Sequence, residues 1–446
     1  MGIIVLIISL VIEAAFTTYC IKTKSSQKKV RSITRIGVFA AFVIFTLISV
    51  IEWSFRWKLL AAILLVWALL GTWSLIYNRF LKQKTSKEKK YKTVNSVFKA
   101  IAMLLVVLIA VTPAMVFPQY KLPKMTGEYE IATSTYTYTD KKRVETFNNK
   151  GENREVNVEF WYPENIDGKY PLVVFSHGSF GVKTSNTSTY MELASNGYVV
   201  CSIDHPYHSM YTVDVDGKST MVNTSFVQEV LDCNNDVYDD KEDFNLTKKW
   251  MKLRTEDMNF VVDTIIKNAK GNGSGPVYKL IDTDKIGLMG HSLGGAASAQ
   301  VARERNDIDA VIDIDGEMSG EYMELVDGKP VLNNEIYPVP ILNFYSDDVM
   351  SLIEANTDFI YPNKAVSNTA PNAYDVYIKG TNHMSLTDLP LFSPLLTKLI
   401  CGSIKKINSQ TKADKYYVIE TMNNIVLKFF DSYLKGKGSF DSAGIY

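Results

Sequence analysis

The segment Lys285-Ile-Gly-Leu-Met-Gly-His-Ser-Leu-Gly-Gly295 constrains the fold more than any other stretch of this 446-residue chain. An apolar run ending at Met289 reads as a buried strand. The small-residue run Gly295-Ala-Ala-Ser-Ala-Gln-Val-Ala302 reads as a helix. Between them Gly290, Ser292 and Gly294 spell G-x-S-x-G. Strand, sharp turn and helix in that order are the context of a nucleophile elbow. The glycines have a steric reason, because the serine of so tight a turn has strained backbone angles and a neighbouring segment passes close by. The expected result is a Ser292 hydroxyl held proud of a sheet, above the positive end of a helix.

A serine hydroxyl is a poor nucleophile until a base takes its proton. The chain has five histidines: His177, His205, His208, His291 and His383. His291 lies inside the elbow and is expected to point away from the serine. His383 follows a late apolar run, Tyr374 to Ile378, in a Gly-containing loop, and the chain order Ser, acid, His agrees with it as the base. Two strand ends can supply the acid: Asp315 after Ala310–Ile314, and Asp347 after Pro340–Tyr345. Asp313 alternates in phase with Asp315, so one of that pair is structural. The oxyanion of an acyl transfer needs two backbone N–H donors. Leu293, after the nucleophile, is one; Ser179, in the turn after the early strand Leu172–Phe175, is the other. His177 is read as a structural residue of that turn.

Phe175-Ser-His-Gly178, Gly290-His-Ser-Leu-Gly-Gly295, Asp315-Gly316 and Gly380-Thr-Asn-His383 together resemble the platelet-activating-factor acetylhydrolase group of α/β-hydrolases. Trp161-Tyr-Pro163 and Leu193-Ala-Ser-Asn-Gly-Tyr-Val-Val200 are similar to that group as well. The resemblance runs from about Glu155 to Tyr433. It implies an α/β-hydrolase fold, hydrolysis of short acyl esters of phospholipids or similar esters, and a Ser292–His383–Asp315 triad. In cutinase-like polyester hydrolases the acid lies one strand later, which keeps Asp347 as the alternative. Asp204-His-Pro-Tyr-His-Ser209 and the long insert after it depart from the family pattern.

The N-terminal quarter is a different material. Segments 2–19, 36–52, 59–77 and 97–117 are apolar and nearly uncharged, and a membrane-spanning helix needs about 20 such residues. They predict an all-α transmembrane domain over residues 1–120. Lys22, Lys24, Lys28, Lys29, Arg31 and Arg35 follow the first segment. Arg79, Lys82, Lys84, Lys87, Lys89, Lys90, Lys92 and Lys99 follow the third. The loop between the second and third holds only Arg56 and Lys58, beside Trp53, Phe55 and Trp57 suited to a membrane interface. The positive-inside rule puts the two basic loops in the cytoplasm. The expectation is a multi-pass protein of the cell membrane, with its catalytic domain facing the exterior. Glu13 sits inside the first span. Pro113, Pro118 and Pro123 are expected to end the last helix and stiffen a short linker.

Residues 125–446 suffice for one large domain. Glu128–Tyr138 and Glu155–Tyr162 alternate as edge or antiparallel strands do, while Leu172–Phe175, Tyr198–Ile203, Lys285–Met289, Ala310–Ile314, Pro340–Tyr345 and Tyr374–Ile378 read as buried strands. Helical patterns at Thr255–Ala269 and Ala296–Glu304 separate them, which predicts a mostly parallel sheet covered on both faces. Tyr416–Tyr433 reads as a closing core helix. Residues 206–253 are polar and irregular and are read as a cap or lid over Ser292, its acidic run Asp239–Asp243 as a solvated face; a second insertion, Gly316 to Tyr337, is expected to line the same mouth. Asp204, His205 and His208 are read as locally bonded loop residues, and no metal or cofactor site is expected. A Cys233–Cys401 bridge stays open. Net charge is zero, which gives no electrostatic case for nucleic acid; the expected partners are the bilayer and a lipid-like or small ester. A membrane-anchored serine esterase is the leading expectation. An acyltransferase, a polyester hydrolase, or a non-catalytic membrane sensor or assembly protein on the same fold are the alternatives.

Overall fold

The computed structural model describes residues 1–81, 91–271, 273–326, 328–355, 360–403 and 411–446. The chain divides into two compact units, Met1–Lys121 with Phe392–Leu396, and Leu122–Leu391 with Thr397–Tyr446.

The first unit contains α1 (Gly2–Thr23), α2 (Lys28–Leu47), α3 (Phe55–Ile76) and α4 (Thr93–Val116). All four are long and apolar enough to cross a membrane by length and composition. Helix α1 packs on α4, α2 on α3, and α3 on α4. Where α2 and α3 cross, a Cβ on Gly71 would come within 2.9 Å of the Ser32 carbonyl oxygen, the close approach that small residues allow between apolar helices. Trp57, Leu60, Leu64, Ala110 and Val111 form the interior.

Three details differ from the sequence reading. Helix α2 begins at Lys28, so Lys28, Lys29, Arg31 and Arg35 lie on a helix rather than in a loop; the guanidinium groups of Arg31 and Arg35 turn inward, over the rings of Phe16 at 4.5 Å and Trp67 at 5.8 Å. Trp57 is buried in the bundle, whereas Trp53 and Phe55 are exposed. Helix α4 continues through Pro113 to Val116, with the Phe117 N–H bonded to the Pro113 carbonyl at 2.9 Å. A proline in the last turn does not stop the helix from closing it. Lys82, Lys84, Lys87, Lys89 and Lys90 lie outside the described residues.

The second unit is built on a nine-stranded sheet. Its strands are β1 (Ile131–Val144), β2 (Asn153–Pro163), β3 (Tyr170–Ser176), β4 (Val199–Asp204), β5 (Ile281–His291), β6 (Ala310–Ile314), β7 (Ile341–Tyr345), β8 (Ala373–Tyr377) and β9 (Gly444–Ile445). The spatial order is β1-β2-β4-β3-β5-β6-β7-β8-β9. β1 and β2 run antiparallel at one edge, and every pairing from β4 onward is parallel. The layered α/β architecture expected from the sequence is present. The two-residue side-chain period of a strand divides the interior. Leu172 and Val174 point into one core and Val173 and Phe175 into the other, all four fully buried. Each such burial stabilises by about 1.5–3 kcal/mol. The first core is closed by α7 (Asp240–Lys270) and α8 (Leu293–Glu304), through Met258, Val261, Val262, Ala297 and Val301; the second by α5 (Thr187–Ser195) and α9 (Lys415–Lys435), through Tyr190, Leu193, Phe429 and Phe430.

The insert at 206–253 is not irregular. It holds a short hairpin, Tyr211–Val213 with Ser219–Met221, then α6 (Thr224–Asn234), then the first half of the 31-residue α7. The acidic run is the start of α7. Asp239 accepts a bond from the Glu242 N–H at 2.8 Å, and Asp240, Glu242 and Asp243 fill the first turn, where negative charge meets the positive end of the helix dipole. The second insertion carries another hairpin, Tyr322–Val326 with Lys329–Leu332. No disulfide forms among the described residues.

Candidate active site

Ser292 stands between the end of β5 and the first residue of α8, with φ 55° and ψ −128°. That backbone region is costly for any residue with a side chain and persists where surrounding structure enforces it. The enforcement is visible: the Ser292 N–H bonds to the Ile314 carbonyl at 2.9 Å, its carbonyl accepts from the Ala296 N–H at 3.0 Å, and a Cβ on Gly294 would collide with the backbone of Ser176 and His177. A Cβ on Gly178 would fall 3.1 Å from the Ser292 Cβ and 2.9 Å from His291 Nδ1. The loop after β3 therefore lies directly against the elbow.

Asp315 directly follows β6 with φ 56°, pinned by its N–H to the Phe344 carbonyl at 2.9 Å. Its carboxylate accepts from the Ser346 N–H at 2.6 Å and the Ser346 hydroxyl at 2.7 Å, and lies 2.8 Å from His383 Nδ1. The Asp347 carboxylate goes elsewhere, to the Tyr377 hydroxyl at 2.8 Å and the Gly380 N–H at 2.9 Å, which fastens the loop leading to His383. Asp348 accepts from the His383 N–H at 2.8 Å. Burial lowers the His383 pKa, but the hydrogen bond and charge of Asp315, helped by Asp348 and Asp313, outweigh it and raise the net value. Among the described residues no hydrogen bond joins the Ser292 hydroxyl to His383.

His291 is closer to this chemistry than its place in the motif suggested. Its ring packs against that of His383, tilted by 37° with centroids 4.5 Å apart, and its Nε2 lies 3.0 Å from the His383 carbonyl oxygen. Burial, with the neighbouring His383, pushes its pKa down to about 3. A neutral ring therefore holds the histidine loop in place. Asp313 is fully buried; it takes the Gly316 N–H and the Asn363 amide, both at 3.0 Å, and burial pushes its carboxyl up to about 7.

The N–H groups of Ser179 and Leu293 donate to no protein acceptor among the described residues. Leu293 is the first residue of α8, where helix geometry leaves N–H groups unpaired. Phe180, beside Ser179, and Leu293 itself pack against an apolar cluster of Phe226 and Val230 from α6 and Trp250 from α7. Asp204, His205 and His208 face different partners: Lys183 and Thr212 for Asp204, Ser176 and Asp257 for His205, Arg254 for His208. The sequence reading missed Ser346, the contact of His291 with His383, and Arg254. Ser346 and Arg254 belong to no motif and are found only by the register of β6 with β7 and by the path of α7; His291 lies in the elbow motif, but its contact with His383 is made only by tertiary packing.

A family model described as platelet-activating factor acetylhydrolase, isoform II, matches residues 123–444. The platelet-activating factor acetylhydrolase of Gallus gallus is 25% identical over 288 residues, which is 61% of this chain and 64% of that protein. The protein of the same name from Canis lupus familiaris is 30% identical over 152 residues, 30% of this chain and 32% of its own. The matches thus span less than two thirds of those relatives' length. A ferulic acid esterase from Streptomyces cinnamoneus superposes with a TM-score of 0.54 at 20% identity, over 72% of this chain and 96% of that one, and shares the fold. With the family model covering well over half of the chain and every residue named around Ser292, the chain belongs to the platelet-activating factor acetylhydrolase, isoform II, family.

Proposed function

We propose that the chain is a membrane-anchored serine carboxylic-ester hydrolase. The observation that carries this reading is the strained Ser292 at the strand-to-helix turn, with the Asp315–His383 pair held beside it through His291. Ser292 attacks the ester carbonyl as His383 takes its proton. Asp315 accepts the His383 Nδ1–H and favours the imidazolium that forms. The Ser179 and Leu293 N–H groups receive the oxyanion. His383 then protonates the departing alcohol, and water releases the acyl group by the reverse route. Asp315 is the acid of this scheme because Asp347 is engaged with Tyr377 and Gly380.

The substrate class is a short-acyl phospholipid or another lipid-like ester. The apolar cluster of Phe180, Phe226, Val230, Trp250 and Leu293 flanks the oxyanion donors, and the names of the relatives point the same way. The insert that carries α6 acts as the wall of the substrate cleft. The four apolar helices anchor the protein in the cell membrane, with the loop after α1 in the cytoplasm and the hydrolase unit outside. Replacement Ser292→Ala is expected to abolish labelling by a fluorophosphonate probe and hydrolysis of p-nitrophenyl acetate; labelling that persists in that variant would refute the assignment.

A further inference from the structure

Beneath the loop after β3 lies a buried guanidinium to which the scheme above gives no role. Arg254, on α7, is 0% exposed and forms no ion pair among the described residues. Its Nη1 donates to the His177 carbonyl at 2.7 Å, its Nη2 to the Gly178 carbonyl at 3.3 Å, and its Nε to His208 Nδ1 at 3.3 Å. The carboxylate one turn along, Asp257, is held by Arg154 at 2.7 Å, by Arg143 at 2.9 Å and by His205 at 3.0 Å. Asp257 and Asp204 favour the Arg254 charge from a distance, but every hydrogen bond Arg254 makes goes to a neutral acceptor, a costly arrangement for a buried charge, so its direction carries information.

The direction is set by the peptide plane. No cis peptide bond occurs among the described residues, and in a trans peptide the C=O and N–H point opposite ways. The Gly178 carbonyl is drawn toward Arg254 and also toward His177 Nδ1 at 2.6 Å. His177 is neutral, since burial and the charge of Arg254 hold its pKa far below the ordinary value. The Gly178 carbonyl can only accept, so the proton of the neutral ring sits on Nδ1 and is donated to it, which leaves Nε2, 2.7 Å from the Ser209 hydroxyl, as an acceptor. With its carbonyl fixed by three donors, Arg254, His177 and the Gly181 N–H at 3.1 Å, the Gly178–Ser179 peptide turns the Ser179 N–H to the opposite side. Gly178 itself borders Ser292.

We propose that Arg254 is a positioning residue for the oxyanion hole: it locks the Gly178–Ser179 peptide so that the Ser179 N–H faces the reacting carbonyl oxygen, and its charge, one peptide unit away, strengthens that donor. This rests on the esterase reading. Its contribution appears in the transition state, where the oxygen becomes negative, and not in binding of the neutral ester.

The test uses the full-length protein in detergent with p-nitrophenyl acetate, with turnover expressed per active site counted from the acylation burst, so that unfolded molecules drop out. Arg254→Lys keeps a buried cation but loses the fork that reaches two carbonyls. It is expected to lower kcat per site by a factor on the order of 10 to 10², with KM changed less than about threefold. Ser179→Pro removes the N–H itself. In that background Arg254→Lys is expected to cost less than about threefold, because both changes act through one donor. Full turnover per site in Arg254→Lys, or the same loss with and without Ser179→Pro, overturns the proposal. Either result alongside an inactive Ser292→Ala leaves the esterase reading standing; activity surviving in Ser292→Ala removes the nucleophile assignment first.

Discussion

The helical unit and the hydrolase unit are built from the same apolar residues turned in opposite directions. In the sheet, Leu172, Val174 and Leu288 are 0% exposed. In the helices, Leu47, Leu69 and Ile109 are 78%, 60% and 65% exposed, while small residues such as Ala110 and Ala114 occupy the interior. A hydrophobic core excludes water; in the membrane proposed above, a bundle surrounded by hydrocarbon would gain nothing from hiding leucine and would depend on close backbone approach instead. The lesson concerns specificity. The hydrolase unit depends on single atoms at fixed places, and the outer faces of the helices depend only on hydropathy.

The sharpest test of that contrast is at the acid. Asp315→Asn is expected to lower kcat about 10⁴-fold, since the amide no longer favours the imidazolium. Asp347→Asn, which loosens the Gly380 turn, should cost less than about tenfold. Steady-state kinetics on both variants decides, and the reverse order would move the acid one strand along. Next comes Gly294→Ala. The new methyl meets backbone of Ser176 and His177 that cannot move aside, so a loss of about 3 kcal/mol or more is expected, read as a fall in the thermal midpoint of the hydrolase unit. A smaller effect concerns pH. The net raised pKa of His383 favours its protonated form, and the base must be neutral to act, so kcat/KM should rise with pH along a limb lying above the ordinary histidine value of 6.5. Asp348→Asn removes one of the charges that raises it and should move that limb to lower pH; an unmoved limb would mean that Asp348 serves only the backbone bond. Smallest of all, Leu69→Ala and Ile109→Ala should change detergent stability by less than about 0.5 kcal/mol. A loss there matching Gly294→Ala would break the comparison.

Both units were legible in the sequence to different depths. Hydropathy alone located the helices, but it placed the start of α2 eight residues late, because Lys28 to Arg35 contribute charge without ending the helix. Alternation and short apolar runs located the strands of the sheet up to β8, and G-x-S-x-G located the elbow. The two-residue β9 has no periodicity to read. The insert at 206–253 hid its helices because α6 and the start of α7 bury only Phe226, Val230, Trp250 and Met251 before Arg254, too few apolar positions to stand out. Around the candidate site, chain order pointed to His383, while strand ends left Asp315 and Asp347 both open and only the family resemblance favoured Asp315. Ser346 and Arg254 were not, since each acts through a backbone group or a carboxylate brought near by tertiary packing, and no local pattern records that.

The backward-bent conformation of Ser292 has one more consequence. Its side chain has no second backbone basin to retreat into while Ile314, Ala296 and the loop at Ser176 stay where they are. On the esterase reading, the backbone that carries the Ser292 side chain is thus set before any ester arrives. On that same reading, discrimination between a small water-soluble ester and a long amphiphile falls to the walls of the cleft rather than to the elbow.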